Sequence, residues 1–368
     1  MERIRIELLR INSFRNYETV NCNLHNHINV ITGLNGAGKT SILDAIYYLC
    51  NGKSYFTHLD SVLYKKGSDF FNLKGKMFNE YDAYPLMITS SRKGKEINVD
   101  DKVIKSITEY YGRFPCFMIA PKDILILVES SIERRKLINK TLSQVDKVYF
   151  KSLLIYNKLL KQRNVALKSF LKTGRKDELL IEALNSKMVE PANYIYNKRN
   201  EYVESIIPIV EEFYNLIATD KESVSIIYKS KLGTSTLEEL FEENATRDYI
   251  MGKTHEGIHR DDLTIKLNGY DIKKYGSQGQ LKSAIIAIKL AQIEWVKSQT
   301  GTLPILLLDD IFDKLDKERV YTFVKLCVEK LQSQIFITDT DADRVVDTLK
   351  KLKLDFQHYI IEEGKIKN

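Results

Sequence analysis

The chain has 368 residues, and its 56 Lys and Arg side chains outnumber 49 Asp and Glu side chains, for a formal net charge of +7. That length allows two or three lobes, while so mild a basic excess does not by itself predict nucleic-acid binding. The scattered cysteines Cys22, Cys50, Cys116 and Cys327 form no Cys-x-x-Cys pair, which argues against disulfides and a zinc site. With no signal peptide and no apolar run of membrane-spanning length, we expect a soluble, cytoplasmic protein without a membrane partner.

The first part of the chain contains a phosphate-binding loop. Residues 2–7 alternate in polarity as a strand does, and His27–Ile31 is a β-branched run typical of another strand. The residues that match the pattern Gly-x-x-x-x-Gly-Lys-Ser/Thr are Gly33, Leu34, Asn35, Gly36, Ala37, Gly38, Lys39 and Thr40. Residues 41–49, which begin with Ser41, have helical spacing, so the loop joins a strand to a helix.

This order of strand, loop and helix predicts a nucleotide site. It directs free backbone N–H groups and the positive end of the helix at phosphates, and Gly36 and Gly38 allow close approach of the backbone. Lys39 would neutralise the β- and γ-phosphates, and the Thr40 hydroxyl would bind Mg²⁺. A plain glycine-rich turn is the alternative, but the unbroken motif in this context favours a nucleotide, with ATP and Mg²⁺ as cofactors.

A helical segment follows, from about residue 126 to residue 218. It contains only two prolines, Pro191 and Pro208, and stretches such as 134–142 and 149–170 have helical periodicity with charged faces. Heptads do not persist long enough to predict an extended coiled coil, so we expect a helical arm. Basic clusters along such an arm are more often solvated faces than DNA contacts.

A second candidate anion site comes late in the chain. Its residues, which follow Gly276, are Ser277, Gln278, Gly279 and Gln280. They precede an amphipathic helix whose apolar face runs from Leu281 to Trp295. Free N–H groups and the dipole at such a helix start attract anions, although Ser277 could instead only cap the helix. One protomer cannot easily bring two such sites to one triphosphate, so the motif predicts a second copy of the chain.

The motif that completes the nucleotide site lies near the C-terminus. Residues 305–308 form an apolar run typical of a buried parallel strand, and Asp309 and Asp310 stand at its end. Open α/β sheets place ligands at that edge, so Asp309 would hold the metal through water and Asp310 would orient the attacking water and accept its proton. From Lys39 to Asp309 is 309 − 39 = 270 positions, so the chain must fold back to one site. On their own, the two carboxylates could equally form a solvated turn.

Two further strands are expected after this motif. Residues 335–337 are strand-like and precede Thr338, and residues 356–367 look like a strand and a turn that close the sheet, with Glu363-Gly364 as the turn. The N-terminal strands are expected to form a mixed or antiparallel flank to the parallel core.

Together the motifs resemble an ABC-type ATPase head and, within that superfamily, the RecF family, which is related to SMC proteins. The resemblance runs in matching order from near residue 3 to about residue 345. Besides the phosphate loop, the Ser-Gln-Gly-Gln segment and the Leu-Leu-Leu-Asp-Asp segment, it rests on residues 12–17, 133–136, 162–164 and 257–263. Those segments read Asn-Ser-Phe-Arg-Asn-Tyr, Glu-Arg-Arg-Lys, Gln-Arg-Asn and Gly-Ile-His-Arg-Asp-Asp-Leu.

The resemblance implies an α/β fold, an ABC/SMC-type P-loop ATPase head with a mixed sheet and a helical second lobe. We divide the chain into head residues 1–125, a helical arm at 126–218 and the rest of the head at 219–368. By resemblance, Arg15 would reach the phosphates, Ser277 would contact the γ-phosphate held by the opposite protomer, and Asp316 would lie in a loop that crosses the dimer interface. The implied DNA contacts in the N-terminal lobe are Lys65, Lys66, Arg92, Lys93 and Lys95.

Three departures from the family pattern stand out. Lys122 occupies a position that is usually acidic, and Ile258 one that is usually proline. No glutamine occurs near residues 117–123 to contact the metal as in ABC heads, so the magnesium shell is incompletely assigned.

The resemblance implies an ATP-induced homodimer that binds double-stranded DNA near single-strand gaps. It would work with RecR and RecO to favour RecA loading in DNA repair and the SOS response, and slow, DNA-stimulated ATP hydrolysis would release the dimer. A transporter ATPase subunit is one alternative, against which Thr338 stands where those proteins carry histidine. An ABC-headed nuclease of a defence system is the other, and Asp261-Asp262 is the only tempting acidic pair for it.

Overall fold

The computed structural model describes residues 1–218, 222–312 and 317–367. The strands in these residues are β1 (Glu2–Arg3), β2 (Arg5–Phe14), β3 (Tyr17–Asn23), β4 (Ile28–Thr32), β5 (Phe70–Phe78), β6 (Ala83–Ser91), β7 (Gly94–Val99), β8 (Lys102–Val103), β9 (Cys116–Ile119), β10 (Val224–Lys229), β11 (Asp262–Leu267), β12 (Tyr270–Asp271), β13 (Thr302–Leu303), β14 (Ile305–Asp309), β15 (Ile335–Asp339), β16 (Gln357–Glu362) and β17 (Lys365–Lys367).

The α-helices are α1 (Lys39–Asn51), α2 (Ile107–Tyr110), α3 (Leu125–Val128), α4 (Ser131–Val145), α5 (Lys147–Thr173), α6 (Glu178–Ile217), α7 (Leu237–Glu243), α8 (Ala245–Met251), α9 (Ile272–Tyr275), α10 (Gln278–Thr300), α11 (Lys317–Leu326) and α12 (Ala342–Lys351). Short 3₁₀ turns span Asp60–Leu63, Pro121–Ile124 and Lys231–Gly233, and a π-helical turn, Cys327–Leu331, follows α11. No helix in the described ranges is long and apolar enough to cross a membrane.

The chain divides into two compact units. The head unit comprises residues 1–123 and the described residues from 289 onward, and the arm unit comprises the described residues of 124–288. The predicted division differs, because it placed residues 219–288 with the head. In the structure β10 pairs with β11, β10 packs on α6, and β11 packs on α4, so this segment clusters with the arm. That the three predicted segments fold as independent domains stays a prediction.

The core of the head unit is a six-stranded sheet in the order β17-β16-β4-β15-β14-β9. Neighbouring strands from β16 to β9 run parallel, and only β17 in this sheet is antiparallel, since it follows β16 directly after the turn at Glu363-Gly364. Asp309 of β14 stands opposite Thr338 of β15, which stands opposite Ile31 of β4. The carboxyl ends of the strands therefore meet at one edge, and the distant ends of the chain join there.

A second six-stranded sheet flanks this core. Its order is β3-β2-β5-β6-β7-β8, and every pairing in it is antiparallel, as predicted for the N-terminal strands. Helix α1 contacts strands of both sheets, and all of its residues but Thr40 are buried. A helix that is buried almost all round must be covered on every side, and the two sheets contribute to that cover. The predicted ABC/SMC-type head with a mixed sheet is confirmed.

The arm unit is built on a long helical hairpin. Helix α5 has 27 residues and α6 has 40, with Pro191 and Pro208 inside α6, and the two helices pack against each other. The three-stranded antiparallel sheet β10-β11-β12 completes the unit. The predicted helical second lobe is thus present, with a small sheet that the sequence analysis had assigned to the head.

Candidate nucleotide site

The predicted phosphate loop joins β4 to α1, and two of its glycines are required by geometry. Gly33 has φ 154° and Gly38 has φ 118°, values that residues with a side chain rarely adopt. A Cβ atom at Gly38 would lie 2.6 Å from the Tyr17 hydroxyl oxygen, and one at Gly33 would lie 2.3 Å from the Ile361 carbonyl oxygen. The loop therefore has neither the conformation nor the space for a larger residue at these positions.

The turn between β2 and β3 holds the loop from outside. The Asn16 side-chain amide donates to the Ala37 carbonyl oxygen at 3.2 Å, and the Tyr17 hydroxyl donates to the Gly38 carbonyl oxygen at 3.1 Å. Sequence reasoning assigned no role to Asn16 and Tyr17. The signal that could have found them is their place beside Arg15 in the family-like segment 12–17.

Lys39 lies inside the loop. Its ammonium donates to the carbonyl oxygens of Gly33 at 2.9 Å and of Leu34 at 3.3 Å, and only 3% of the residue is exposed. The Lys39 Nζ is also 3.9 Å from Asp310 Oδ2. The cation is thus positioned where the loop and the end of β14 converge.

Three oxygen atoms meet at the ends of α1, β14 and β15. The Thr40 hydroxyl donates to Asp309 Oδ1 at 2.9 Å, and the Thr338 hydroxyl donates to the same atom at 3.0 Å. Burial is the main cause that raises the pKa of Asp309, and the hydrogen bonds from the two threonines oppose it. A cation next to this carboxylate would favour its ionised form further.

The donors at this point fit magnesium. A hydroxyl and a carboxylate are the hard oxygen ligands that Mg²⁺ prefers, and Mg²⁺ usually takes one or two carboxylates together with phosphate oxygens and waters. Among the described residues, no group of three or more His, Cys, Asp or Glu side chains could hold a metal. Thr40 and Asp309 thus offer donors of the kind that a magnesium ion accompanying a nucleotide would need.

Asp310 adopts an unusual backbone conformation at the end of β14. Its φ is 45°, and its backbone N–H donates to the Thr338 hydroxyl oxygen at 3.0 Å. A left-handed aspartate is uncommon. Asp310 Oδ2 lies 3.9 Å from Lys39 Nζ, whereas Asp309 Oδ1 accepts from the two threonines. Thr338 thus supports both aspartates, a role that the sequence analysis did not foresee.

Arg15 also has a left-handed backbone, with φ 52°. Its guanidinium forms a salt bridge to Asp44 of α1, with 2.5 Å between Nη2 and Oδ2, and lies 5.5 Å from the centre of the Phe56 ring. About a quarter of the Arg15 side chain, 26%, stays exposed, whereas Asp44 is fully buried. Arg15 is therefore fixed beside the phosphate-loop helix with part of its guanidinium accessible.

The Ser277 motif begins α10 in the arm unit. The Ser277 hydroxyl accepts from the Gln280 backbone N–H at 3.2 Å, and the Gln280 side chain accepts from the Ser277 N–H at 2.7 Å. This reciprocal pair is a capping box, so Ser277 does cap the helix, the alternative kept open from the sequence. Gln280 also donates to Glu222 at 2.6 Å, and the loop residue Asp316 lies outside the described residues.

The predicted DNA contacts differ in how free their charges are. Lys66, Arg92 and Lys93 are exposed, and Lys65 pairs with the exposed Glu18 at 2.8 Å. Lys95 is also exposed, but its ammonium is 3.0 Å from Asp60, donates to the Gly52 carbonyl oxygen and lies over the Tyr48 ring. The charge of Lys95 is therefore less free to contact a DNA phosphate than the charges of Lys66, Arg92 and Lys93.

The family-like segments of the arm unit form buried ion pairs. Arg163 pairs with Asp248 at 2.6 Å and Arg199 pairs with Asp261 at 2.6 Å, and these four side chains are at most 2% exposed. The Arg134 guanidinium donates two hydrogen bonds, of 2.7 and 3.0 Å, to the Asp262 carboxylate. Arg199 of α6 and Arg134 of α4 therefore connect their helices with the segment 257–263, and Arg163 connects α5 with α8.

His259 is hydrogen-bonded within the same region, as expected for a structural histidine. Its Nδ1 is 2.9 Å from the Tyr156 hydroxyl and its Nε2 is 3.3 Å from the Thr254 carbonyl oxygen. Burial lowers the pKa of His259 to about 4, so the ring is neutral near pH 7. Ile258, which stands where proline is usual, is buried, and its carbonyl oxygen accepts from Arg199 at 2.8 Å.

Comparison with known proteins covers nearly the whole chain. The model of the RecF/RecN/SMC N-terminal domain matches residues 5–361. DNA replication and repair protein RecF of Cytophaga hutchinsonii is 36% identical over 98% of this chain and 96% of its own length. The RecF protein of Flavobacterium johnsoniae is 37% identical over 94% of this chain and 97% of its own length.

Solved structures give the same result. The recombination mediator protein RecF-ATPrS of the RecFOR pathway aligns with a TM-score of 0.88 and 31% identity over 99% of this chain and 98% of that chain. The Smc head of Pyrococcus furiosus, at 17% identity and a TM-score of 0.56 over 99% of this chain and 95% of that chain, shares the fold. The chain therefore belongs to the RecF family of DNA replication and repair proteins.

Proposed function

We propose that the protein is an ATP-controlled DNA clamp that acts as a recombination mediator. The observation that carries this proposal is the convergence of Lys39, Thr40, Asp309 and Asp310 in the head unit, although they come from opposite ends of the chain. The similarity to RecF proteins, whose names specify DNA replication and repair, supports DNA as the other partner. A similar structure is of RecF-ATP in the RecFOR pathway, which supports ATP as the nucleotide.

The phosphates of ATP would bind to the backbone N–H groups of the loop from Gly33 to Ser41. Lys39 would exchange its contacts with loop carbonyl oxygens for the β- and γ-phosphates. Mg²⁺, bound by the Thr40 hydroxyl and through water by Asp309, would neutralise charge that develops on the phosphates. The loop glycines allow this approach because they carry no side chain.

Asp310 and Arg15 complete the proposed chemistry. The Asp310 carboxylate would orient the water that attacks the γ-phosphorus and accept its proton as the bond to the leaving ADP oxygen breaks. The exposed part of Arg15 would contact the phosphates, and its salt bridge to Asp44 would loosen as the guanidinium shifts toward them. We expect slow, DNA-stimulated hydrolysis to ADP and phosphate, because the useful output is a change of assembly state.

The proposed assembly is a homodimer with ATP at the interface. The start of α10, with Ser277, Gln278, Gly279 and Gln280, would contact the γ-phosphate held by the other protomer. Free N–H groups and the dipole of this 23-residue helix would attract the phosphate. Asp316 would cross the same interface. ATP would then stabilise the dimer, and hydrolysis would release it.

The proposed partners follow from the RecF family. The ATP-bound dimer would bind double-stranded DNA near single-strand gaps and act with RecR and RecO to favour RecA loading. Lys65, Lys66, Arg92 and Lys93 remain the proposed contacts to the DNA backbone, which would be independent of sequence and sensitive to salt.

The antiparallel sheet offers further candidates for DNA contacts. Arg10 and Lys74 are exposed cross-strand neighbours on β2 and β5, and Lys76 is exposed two pairs further along, opposite Leu8. These three cations line a groove of about 490 Å³ on the sheet. The alternation of β2 and β5 could have identified them, because their inward neighbours are apolar.

The two aspartates on which the nuclease alternative depends, Asp261 and Asp262, are both paired with arginines. The Asp261 carboxylate binds Arg199 and the Asp262 carboxylate binds Arg134, so both negative charges are already neutralised by arginine. Metal-dependent cleavage of plasmid DNA by the Asp310→Asn variant would restore this alternative. The family assignment leaves the transporter hypothesis without support.

Sedimentation with and without ATP, in the presence of gapped duplex DNA, tests the proposed function. The wild-type protein should sediment as a dimer with ATP and retain the gapped DNA. Lys39→Ala should do neither, because it loses the cation that holds the triphosphate. Lys187→Ala, at an exposed lysine of α6 that has no proposed role, is the matched control for loss of a lysine, and it should still dimerise and retain the DNA. A wild-type protein that stays monomeric with ATP and DNA would contradict the proposal.

A further inference from the structure

The chain crosses between the head unit and the arm unit at two points, after Asp123 and before Lys289. These two residues are an ion pair, with 3.5 Å between Lys289 Nζ and Asp123 Oδ2. Both are buried, at 3% and 5% exposure. The chain therefore leaves the head unit and returns to it at a single buried pair of opposite charges.

Tyr55 joins this pair. Its hydroxyl donates to Asp123 Oδ1 and accepts from the Lys289 ammonium, whose Nζ is 3.0 Å away. The same ammonium approaches the Met118 carbonyl oxygen, and Asp123 Oδ2 accepts from the Ala120 N–H at 2.9 Å. Burial and the charge of Asp123 raise the pKa of Tyr55 well above its usual value, so its hydroxyl keeps the donor proton. We call Tyr55, Asp123 and Lys289 the boundary cluster.

The boundary cluster is connected to the nucleotide site by hydrogen bonds. The Tyr55 backbone N–H donates to Asp44 Oδ1 at 2.8 Å, and the other oxygen of Asp44 pairs with Arg15. Asp44 lies on α1, the helix that begins with Lys39 and Thr40. A continuous path therefore runs from Arg15 through Asp44 and Tyr55 to the two chain crossings.

The net stability that a buried ion pair contributes does not explain why Asp123 and Lys289 occupy the two chain crossings. A buried ion pair adds little net stability, and apolar residues of similar volume often serve as well or better. A hydrogen-bonded cluster adds a fixed geometry that changes when one partner is drawn away. Tyr55 is held at both ends, by Asp44 at its backbone and by the boundary charges at its hydroxyl, so displacement at one end is felt at the other.

We propose that Tyr55, Asp123 and Lys289 are positioning residues that couple a nucleotide in the phosphate loop to the arm unit. The proposal rests on the proposed function, because Arg15 would have to shift toward bound phosphates and loosen its bond to Asp44. Lys289 lies on α10, the helix that begins with the Ser277 motif. The boundary cluster would thus prepare that motif for the second protomer only when ATP is bound.

Tyr55→Phe is the primary test, because it removes one hydroxyl and keeps the ring and the bond to Asp44. We expect ATP affinity within about twofold of wild type, while ATP-dependent dimerisation weakens about tenfold, the size expected for one lost hydrogen bond to charged groups. Tyr48→Phe is the matched control. Tyr48 is also buried and donates to a carboxylate, Asp60, at 2.8 Å, but it does not contact the boundary cluster.

Hydrogen exchange at residues 118–126 and 286–292 separates coupling from a merely structural role. In the wild type and in Tyr48→Phe, ATP should change exchange at both crossings, whereas in Tyr55→Phe the ATP-dependent change should disappear. Asp123→Asn combined with Lys289→Met is the second variant, which removes both charges together and should give the same loss. Equal ATP-dependent dimerisation and exchange in Tyr55→Phe and wild type would overturn the coupling. Failure of the wild type itself to dimerise would instead overturn the proposed function.

Discussion

Two charged regions of this protein use the same residue types in opposite ways. At the nucleotide site, Lys39 contacts only carbonyl oxygens of its own loop at hydrogen-bond distance, and Arg15 keeps 26% of its side chain exposed. In the arm unit, Arg163 and Arg199 are 1% exposed and are paired with buried aspartates. The first region thus keeps a lysine inside the phosphate loop and part of the Arg15 side chain accessible, although Arg15 is paired with Asp44, whereas the second pairs its arginines with aspartates away from solvent.

This difference shows that a motif that identifies the family need not be a motif that binds the ligand. The segments 162–164 and 257–263 carry much of the resemblance to the RecF family, and their charged side chains are used inside the arm unit. The phosphate loop is shared with many other ATPases, and its charges face the ligand site. A residue that identifies the family can therefore be structural, and the comparison between the two regions can be tested by substitution.

Breaking a pair in the arm unit should have the largest effect on stability. Arg199→Met leaves Asp261 buried without its cation, so we expect the free energy of unfolding to fall by about 3–5 kcal/mol. Lys198→Ala is the matched control on the same helix, because Lys198 forms only an exposed pair with Glu201, and it should change stability by less than about 1 kcal/mol. Urea denaturation measures both. A loss in Arg199→Met no larger than in the control would remove the distinction between the two regions.

At the nucleotide site, replacing an aspartate should leave the free energy of unfolding nearly unchanged and slow ATP hydrolysis instead. Asp310→Asn should slow ATP hydrolysis by about 10²–10⁴-fold, the range for removing a general base, and trap the ATP-bound dimer. Asp309→Asn is the comparison variant, and it should instead weaken binding of ATP in the presence of Mg²⁺. Single-turnover hydrolysis and sedimentation distinguish these outcomes. Normal hydrolysis by Asp310→Asn would show that another group activates the water.

His259 offers a pH test of the arm unit. Because its pKa is about 4 in the folded protein and about 6.5 when unfolded, only the unfolded state gains a proton as pH falls below 6.5. This contribution is fully present above pH 6.5 and is lost on acidification toward pH 4, by about 2 kcal/mol between pH 7 and pH 5. His259→Gln should show a correspondingly smaller drop in urea-denaturation stability over that range. An unchanged pH dependence would mean that His259 is not neutral in the folded arm.

The sequence predicted the nucleotide region better than the arm unit, for physical reasons. The phosphate loop and the strand before Asp309 are short local patterns whose geometry follows from their residues, and both were found in the predicted places. Lys289 was missed, although it occurs on the apolar face of the helix after Ile285, where a lysine signals a buried partner. Its partner Asp123 is distant in the chain, and no local pattern can give that pairing.

The boundary of the arm unit could not be predicted from the sequence for a related reason. Strand β10 alternates like any strand, and nothing in its own residues says whether it joins the head sheets or pairs with β11 against α6. The pairing of Lys95 was equally hidden, because its partners Asp60 and Tyr48 belong to other elements. Pairings between distant segments decide such cases, and they are visible only in the fold.

The smallest effect on stability is expected for Ser277→Gly. This variant tests whether the Ser277 hydroxyl contacts a ligand or only caps its own helix. Glycine at a helix N-cap costs only a few tenths of a kcal/mol relative to serine, so Ser277→Gly should unfold almost like wild type. If the Ser277 hydroxyl contacts the γ-phosphate of the other protomer, the same variant should lose most ATP-dependent dimerisation. Thr236→Gly removes the equivalent residue of another capping box in the arm unit, formed with Glu239, and should dimerise normally. Normal dimerisation of Ser277→Gly would reduce Ser277 to a helix cap and leave the N–H groups at the start of α10 as the contact to the second ATP.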